Sequence, residues 1–194
     1  MCNARTMVST RTCLAAAAAC GVVGVAACGS GPRSAAPSQA ETAKALGGSP
    51  PALAALHRQA GALLVTAPNG FRARLRSLRG HPIVVNKWAS WCAPCRSEFP
   101  YFQRLGVSLG RRVAFIGVDG NDNDSDGKSF LSRYPVPYPS YSDPEGLIAR
   151  VIEASLAFPT TVFYDARGHL TFVHQGAYPS QGKLREDIRR YAGI

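Results

Sequence analysis

The sequence predicts an α/β domain with a mixed central sheet flanked by helices on both faces. Short apolar runs, one starting at Ile83 and one over 113–118, are typical of buried strands, and helical spacing follows each of them. Two further strands, expected over 160–164 and 170–174, are joined by the tight turn 165–168. Strands separated by helices indicate a parallel portion, whereas the tight turn indicates an antiparallel pair, so the sheet should combine both arrangements.

The elements before the first buried strand have weaker patterns. Residues 53–64 carry apolar positions at helical spacing, which predicts a short helix. Residues 71–76 alternate apolar and basic side chains, and this alternation predicts a half-exposed strand or hairpin arm. Its arginines have two interpretations: a solvated face, or a surface that meets an acidic partner or anionic lipid headgroups.

After the first buried strand, helical and extended segments alternate. Helices are expected over 95–109, 128–134, 145–154 and 180–191, with an extended segment at 139–141. Pro100 falls inside the first of these helices and should bend it, because proline lacks a backbone donor. Ser180 is a suitable N-cap for the last helix.

Length and charge limit the classes of function. The 194 residues suffice for one ordinary domain with short additions. The net charge of +10 favours anionic partners, including a membrane surface or an acidic protein. No segment interleaves arginines with aromatic residues as a base-stacking platform requires, so we expect no nucleic-acid partner. We also expect a monomer.

The N-terminal segment is typical of a secretory signal. Arg5 and Arg11 precede an apolar run over 13–27, which is too short to cross a bilayer core of roughly 30 Å as a stable helix. The run ends in VAAC at Cys28 and resembles a bacterial lipobox. We therefore predict a signal peptide at 1–27, a lipidated Cys28, and attachment to the extracytoplasmic face of the cell membrane. The alternative is an ordinary cleaved signal with an incidental cysteine.

The remaining chain divides into a linker and a domain. Residues 28–50 are rich in Gly, Ser, Pro and Ala without apolar periodicity, which predicts a flexible linker to a domain at 51–194. Four of the six cysteines lie within the first 28 residues, and only Cys92 and Cys95 lie in the predicted domain. A structural disulfide framework would spread its cysteines through the fold, so this spacing favours a working pair.

The position of Cys92 and Cys95 favours thiol chemistry. Cys92 falls where a strand turns into a helix, and unpaired N–H groups with the helix dipole stabilise a thiolate there. Pro94 suits the first helical turn. We therefore assign Cys92 as the nucleophile and Cys95 as the resolving cysteine.

Two other readings of the cysteine pair are half of a zinc site and an inert structural disulfide. Zinc requires four ligands, and no second CxxC or paired histidines exist. The loop 122–127 begins like a calcium-binding EF-hand loop, but Arg133 stands where the bidentate glutamate belongs. We expect no metal and no cofactor.

Two motifs make the family resemblance specific. Residues 84–100, VVNKWASWCAPCRSEFP, are similar to the active-site segment of TlpA/ResA-like thiol–disulfide oxidoreductases, which belong to the thioredoxin superfamily. Residues 157–162, AFPTTV, resemble that family's cis-proline motif. The likeness runs from about Gly80 to the C-terminus. It implies a thioredoxin-like fold, a Cys92–Cys95 disulfide, and a cis bond before Pro159 beside it.

The resemblance also implies function. It makes Trp91, Pro94, Phe158 and Pro159 the expected substrate contacts, with the Phe158 backbone pairing with an extended peptide. Protein disulfides would be the substrates, an upstream thiol would supply electrons, and apocytochrome c maturation is one such pathway. Thioredoxin-fold lipoproteins that deliver copper are the alternative, although they use CxxxC and a histidine such as His169 or His174. Peroxidase activity and a non-catalytic scaffold are two further alternatives.

Several polar residues near the motifs receive no role from the sequence. Thioredoxin itself has Asp at the position of Asn86, whereas TlpA-like proteins commonly have Asn there. Lys87 replaces the family's usual Phe, and we expect its ammonium to reach the surface. Asp119 and Asp122 are candidates for a buried acid that ResA-like proteins carry, but neither is assigned. Glu98 is expected to be an exposed helix residue.

Overall fold

The computed structural model describes residues 36–154 and 157–194. The predicted signal peptide 1–27 and the predicted lipidation at Cys28 lie outside these residues. The helices are α1 (Gln39–Leu46), α2 (Pro51–His57), α3 (Pro68–Ser77), α4 (Ala93–Leu109), α5 (Asp124–Arg133), α6 (Leu147–Val151) and α7 (Gln181–Ala192). The strands are β1 (Leu63–Leu64), β2 (Ile83–Trp88), β3 (Ala114–Gly120), β4 (Ser140–Asp143), β5 (Thr160–Tyr164) and β6 (Leu170–Gln175).

The strands form one mixed sheet in the order β1-β4-β3-β2-β5-β6. Strands β1, β4, β3 and β2 run parallel, whereas β5 is antiparallel to both β2 and β6. The predicted fold class is therefore confirmed. Because β2 and β3 are parallel, their carboxyl ends meet at one edge of the sheet, where Trp88 pairs with Asp119.

Two apolar cores cover the two faces of this sheet. Side chains from α4, α5 and α7 pack on one face, and side chains from α2, α3 and α6 pack on the other. Strand β2 serves both cores: Val84 and Trp88 belong to the first, and Ile83 and Val85 to the second. A strand buried on both faces has no polar side, which explains its continuous apolar run.

Residues 71–76 are helical, so the predicted half-exposed strand was wrong. They belong to α3, in which Pro68 occupies the first turn and Phe71 is fully buried. Phe71, Leu75 and Leu78 follow helical spacing, and they pack into the core or against it. The alternating arginines are compatible with a strand and with an amphipathic helix. The spacing of the apolar residues by three and four positions favours the helix.

Part of the predicted linker is also helical. Ser38 and Glu41 form a reciprocal capping box that starts α1. Leu46, at its end, is buried and lies close to Gly110 after α4. Side-chain capping and one buried leucine therefore order a segment whose composition indicated flexibility. The described part of the 28–50 linker is thus not uniformly extended.

Other helix boundaries differ from the predicted ones by a few residues. The helix expected over 53–64 ends at His57, and β1 follows at Leu63–Leu64. Helix α5 starts at Asp124 because the Asn123 side chain accepts a hydrogen bond from the Asp126 amide. The loop that resembles an EF-hand is therefore a capped helix start. None of the described helices has the length and apolar character that crossing a bilayer requires.

Candidate functional site

Cys92 and Cys95 lie at the start of α4, directly after the carboxyl end of β2. Cys92 is the N-cap residue, and its Sγ accepts a hydrogen bond of 3.2 Å from the Cys95 amide. A disulfide joins the two residues. Cys92 is 3% exposed, whereas Cys95 is fully buried, so an attacking thiolate reaches the Cys92 sulfur. After reduction, the same amide and the helix dipole favour a Cys92 thiolate.

An aromatic pair forms the exposed wall of this site. The Trp91 side chain is 55% exposed, and its ring centroid lies 5.0 Å from that of Phe158. The Trp91 Nε1 donates a hydrogen bond to the Asn121 carbonyl. The peptide bond between Phe158 and Pro159 is cis, as the family resemblance implies. An exposed aromatic surface beside a disulfide can contact the apolar parts of an incoming peptide.

The loop that carries the cysteines is fixed by the loop after β3. The Asp122 Oδ2 accepts a hydrogen bond of 2.6 Å from the Ser90 amide. On its other side, the Arg96 guanidinium donates to the Ser90 carbonyl. Asp122, which received no role from the sequence, therefore positions the segment before Cys92.

Glu98 is fully buried, so the expected exposed position was wrong. Its Oε1 accepts a hydrogen bond of 2.8 Å from the Asn86 Nδ2, and its Oε2 accepts one of 3.0 Å from the Tyr178 amide. Burial raises the pKa of the Glu98 carboxyl to about 7, although both hydrogen bonds oppose that rise. A proton acceptor that titrates near neutral pH therefore lies one turn after Cys95.

Lys87 is buried as well, and the expected reach to the surface was wrong. Its Nζ donates a hydrogen bond of 2.5 Å to the Ala154 carbonyl and lies 3.8 Å from the centroid of the Phe158 ring. Burial lowers the pKa of the Lys87 ammonium, and the charge of Asp143 opposes this shift. Lys87 cannot snorkel because β2 is central in the sheet and covered on both faces.

Asp119 is a second buried acid at this edge of the sheet. Its side chain is almost wholly buried, and its Oδ1 has no hydrogen-bond partner among the described residues. Burial, together with the nearby carboxylates of Asp122, Asp124 and Asp126, raises the pKa of Asp119 to about 8. Of the two candidates that the sequence left unassigned, Asp119, near the end of β3, is the more deeply buried.

The histidines offered for copper binding lie in different places. His169 sits in the turn between β5 and β6, beside Asp165 and at the edge of the sheet opposite the cysteines. The ring of His174 stacks on that of Tyr178, with centroids 4.1 Å apart. In the described part of the chain, no three cysteine, histidine or acidic side chains are grouped as metal ligands.

The family can be assigned once this geometry is known. A model of the AhpC/TSA family matches residues 58–173, which include the cysteine pair and the cis-proline. The chain belongs to the AhpC/TSA family. Within it, the predicted TlpA/ResA-like membership is confirmed by relatives. The chain is 30% identical over 107 residues to the thiol-disulfide oxidoreductase ResA of Oceanobacillus iheyensis, covering 54% of each chain.

Other relatives of this AhpC/TSA protein agree. It is 36% identical over 105 residues to the thiol:disulfide interchange protein DsbE of Xylella fastidiosa, covering 54% of this chain and 52% of that one. The chain spans about half to two thirds of the length of the curated relatives it matches.

Solved structures confirm the thioredoxin-like fold. A secreted disulfide oxidoreductase of Mycobacterium tuberculosis superposes with a TM-score of 0.53 at 30% identity, covering 61% of this chain and 86% of that one. A thiol:disulfide interchange protein of the thioredoxin family from Chlorobium tepidum gives a TM-score of 0.54 at 26% identity, covering 61% and 84%.

The structure brings the sequence-predicted residues of this AhpC/TSA protein to one edge of the sheet. Trp91, Cys92, Pro94 and Cys95 come from the β2–α4 junction, and Phe158 with Pro159 lies directly before β5, the antiparallel neighbour of β2. The sequence analysis missed Lys87, Glu98 and Asp122 as parts of the site. A signal existed for Glu98, which lies three residues after Cys95 and four before Phe102 in the apolar stripe of α4.

Proposed function

We propose that the protein is a membrane-anchored, extracytoplasmic thiol–disulfide oxidoreductase that reduces or exchanges protein disulfides. The observation that carries this proposal is the Cys92–Cys95 pair at the N-terminus of α4, beside the cis bond before Pro159. The names of the relatives, thiol-disulfide oxidoreductase and thiol:disulfide interchange protein, support the same chemistry.

The reaction proceeds through a mixed disulfide. In the reduced protein, the Cys92 thiolate attacks one sulfur of a substrate disulfide, forms a bond to it and releases the other sulfur as a thiolate. Cys95, deprotonated in turn, attacks the Cys92 sulfur and releases the second substrate thiol. The substrate gains two electrons and two protons, and the Cys92–Cys95 disulfide forms. An upstream dithiol donor reduces that disulfide for the next cycle.

Neighbouring side chains support these two steps. The N-cap position of Cys92 places its sulfur against an amide donor, which makes it the better nucleophile and the better leaving group. Glu98, with its raised pKa, lies one turn from Cys95 and is the candidate acceptor for the Cys95 proton. Trp91, Pro94, Phe158 and Pro159 contact the substrate, and the Phe158 backbone pairs with an extended peptide.

The N-terminal sequence sets the proposed location. The signal-like segment before Cys28 would direct the protein out of the cytoplasm, and acylation of Cys28 would hold it on the cell membrane. Extracytoplasmic proteins with disulfides, such as apocytochromes whose haem-site cysteines must be reduced, are the proposed substrates. His169 lies across the sheet from the cysteines, and the His174 ring stacks on Tyr178, so the geometry favours thiol exchange over copper delivery.

Reduction of insulin by the protein, with dithiothreitol as electron donor, tests the activity. We expect Cys92→Ser to lose essentially all catalysis above the dithiothreitol background, because no thiolate attacks the substrate. Ser97→Ala, at an exposed position on the same helix, is the matched control and should keep full activity. A Cys92→Ser protein as active as the unmodified protein would overturn the mechanism.

Substrates and location are tested in the cells that produce the protein. A Cys95→Ser variant should accumulate mixed disulfides with extracytoplasmic proteins, because the resolving step is missing. Cys28→Ser should abolish incorporation of labelled fatty acid and release the protein from the membrane fraction. Capture of small thiols alone by Cys95→Ser would argue against protein substrates.

A further inference from the structure

Positive charge is concentrated at the edge of the sheet opposite the cysteine pair. Helices α3, α4 and α7 all end at this edge, and the β5–β6 turn lies beside them. Six of the exposed arginines lie at or just beyond these helix ends or in that turn, and we call them the arginine edge: Arg79, Arg111, Arg112, Arg167, Arg189 and Arg190.

Hydrogen bonds hold the segments of the arginine edge together. The Gly80 amide donates to the Ala166 carbonyl, which joins the turn after α3 to the β5–β6 turn. The Ala114 amide donates to the Pro82 carbonyl, which places the turn after α4 next to them. The Thr171 hydroxyl donates to the Tyr191 carbonyl and fixes the last turn of α7 at the same edge. The segments that carry the arginines are therefore neighbours at one edge of the sheet.

The arginine edge has almost no opposing charge. The segments 76–82, 109–113, 165–169 and 189–194 contain a single acidic side chain, Asp165. Its carboxylate accepts hydrogen bonds from the Arg167 and His169 amides and contacts the His169 ring. Within residues 36–154 and 157–194, none of the six arginines forms an ion pair with a carboxylate.

The cysteine edge has the opposite character. Acidic side chains lie after β3, at the end of β4 and after it, at Asp122, Asp124, Asp126, Asp143 and Glu145. The molecule is therefore electrically polar along the direction of β2. Favourable contact with helix dipoles can account for cations in the last turn of α7, but it does not account for Arg167 in a hairpin turn.

We propose that the arginine edge binds the anionic headgroup surface of a phospholipid membrane and thereby turns the cysteine pair away from the bilayer. Guanidinium groups bind phosphate oxygens through paired donors, and several of them at one edge can contact several headgroups of a bilayer together. Each cation held at an anionic membrane strengthens binding by about fivefold. Lipid binding needs neither cysteine, so the inference goes beyond the proposed redox function.

The first described helix, α1, ends beside this surface. The Arg111 guanidinium lies within hydrogen-bond reach, 3.4 Å, of the Gly48 carbonyl just after α1. Ten residues separate Cys28 from Gln39, and at no more than about 3.6 Å per residue they reach at most about 36 Å. An acyl chain on Cys28 would therefore keep the arginine edge close to the membrane surface.

Sedimentation with lipid vesicles tests the proposal in the predicted mature chain, residues 28–194, carrying Cys28→Ser, which has no acylation site. One set of vesicles is phosphatidylcholine, and the other also contains phosphatidylglycerol. The edge variant carries Arg79→Gln, Arg111→Gln and Arg167→Gln. The control variant loses the same charge at exposed positions outside the arginine edge, through Arg72→Gln, Lys128→Gln and Arg150→Gln.

We expect binding to phosphatidylglycerol vesicles, weakened at least about a hundredfold in the edge variant and only a fewfold in the control. Equal losses in both variants would show that net charge alone acts, and no preference for phosphatidylglycerol would also overturn the proposal. Retention on polyglutamate without vesicle binding would replace the lipid with an acidic protein. Insulin reduction and thermal melts of both variants report separately on activity and folding.

Orientation is tested with the two tryptophans, which both lie at the cysteine edge. Brominated lipids quench fluorophores that contact the bilayer. We expect the emission of Trp91, the exposed one, to be unchanged when the Cys28→Ser protein binds phosphatidylglycerol vesicles that contain brominated lipid. Strong quenching would place the cysteine edge on the membrane and overturn the proposed orientation.

Discussion

One buried ionisable side chain lies on each face of β2: Glu98, from α4, on one face, and Lys87, from β2 itself, on the other. The two side chains make different contacts. On one face, the Glu98 carboxylate accepts hydrogen bonds from the Asn86 side chain and the Tyr178 amide. On the other face, Lys87 donates one hydrogen bond to the Ala154 carbonyl and contacts the Phe158 ring. Neither group forms an ion pair among the described residues.

The two side chains differ in the number of buried hydrogen-bonding groups that depend on them. Glu98 supplies the acceptors for two buried donors, so its removal leaves both unpaired. Lys87 serves one carbonyl and one ring, and burial of its own charge is costly. Glu98 should therefore be a structural requirement of the site, whereas Lys87 should act mainly on the segment before the cis-proline.

The largest expected effect comes from removing Glu98. Glu98→Ala leaves the Asn86 amide group and the Tyr178 N–H without acceptors and opens a cavity beneath Cys95. We expect a loss of about 4 kcal/mol in the free energy of unfolding, measured by denaturant titration of the oxidised protein.

Glu98→Gln is the matched control for that variant. Its amide can accept from the Tyr178 N–H and donate to the Asn86 Oδ1, which has no partner in the structure. This variant should keep most of the stability. Equal losses in the two variants would mean that the charge of Glu98, and not its hydrogen bonds, supports the fold.

The next largest effect is a pH dependence of stability. The pKa of Glu98 is raised from 4.5 to about 7 in the folded protein. The folded state therefore holds a proton that the unfolded state loses first, and this contribution to stability is complete below pH 4.5. It disappears as the pH rises through 7, by about 3 kcal/mol in total.

Unfolding titrations of the oxidised protein across this range measure that contribution. Glu98→Gln should reduce the slope of the profile between pH 4.5 and 7, where Glu98 titrates, and leave the contribution of Asp119 over the same range in place. Asp126→Asn, at an exposed carboxylate, should leave the Glu98 slope in place. An unchanged slope in Glu98→Gln would assign the dependence to another group, with Asp119 the first candidate because burial raises its pKa as well.

The sequence predicts the location of the site better than it predicts the burial of Glu98 and Lys87. The CxxC and FP motifs predicted the fold and the edge at which the site lies, because turn and helix-start residues leave local signals. The burial of Glu98 and Lys87 was missed because charged residues are seldom fully buried, and that general expectation outweighed the position of each within an apolar run. Only the tertiary structure shows which charged side chains are buried and which groups form hydrogen bonds with them.

The same reasoning explains the errors outside the site. In α3, the alternating arginines suggested a strand, although Phe71, Leu75 and Leu78 have helical spacing. These three residues pack against one face of the sheet, and this packing favours the helix. In α1, the capping residues Ser38 and Glu41 gave a local signal that the Gly- and Ala-rich composition obscured.

The smallest expected effect is that of Lys87→Met on global stability. Methionine fills a similar volume without a charge, so relief from burying the ammonium offsets the lost hydrogen bond to Ala154. We expect the free energy of unfolding to change by no more than about 1 kcal/mol. The Phe158 ring, however, contacts both the Lys87 ammonium and the Trp91 indole. Without the cation, the aromatic pair should loosen, and acrylamide should quench Trp91 emission more strongly. Lys87→Gln, which can still donate to the Ala154 carbonyl, separates the hydrogen bond from the charge. A stability loss in Lys87→Met as large as that in Glu98→Ala would remove the distinction between the two faces.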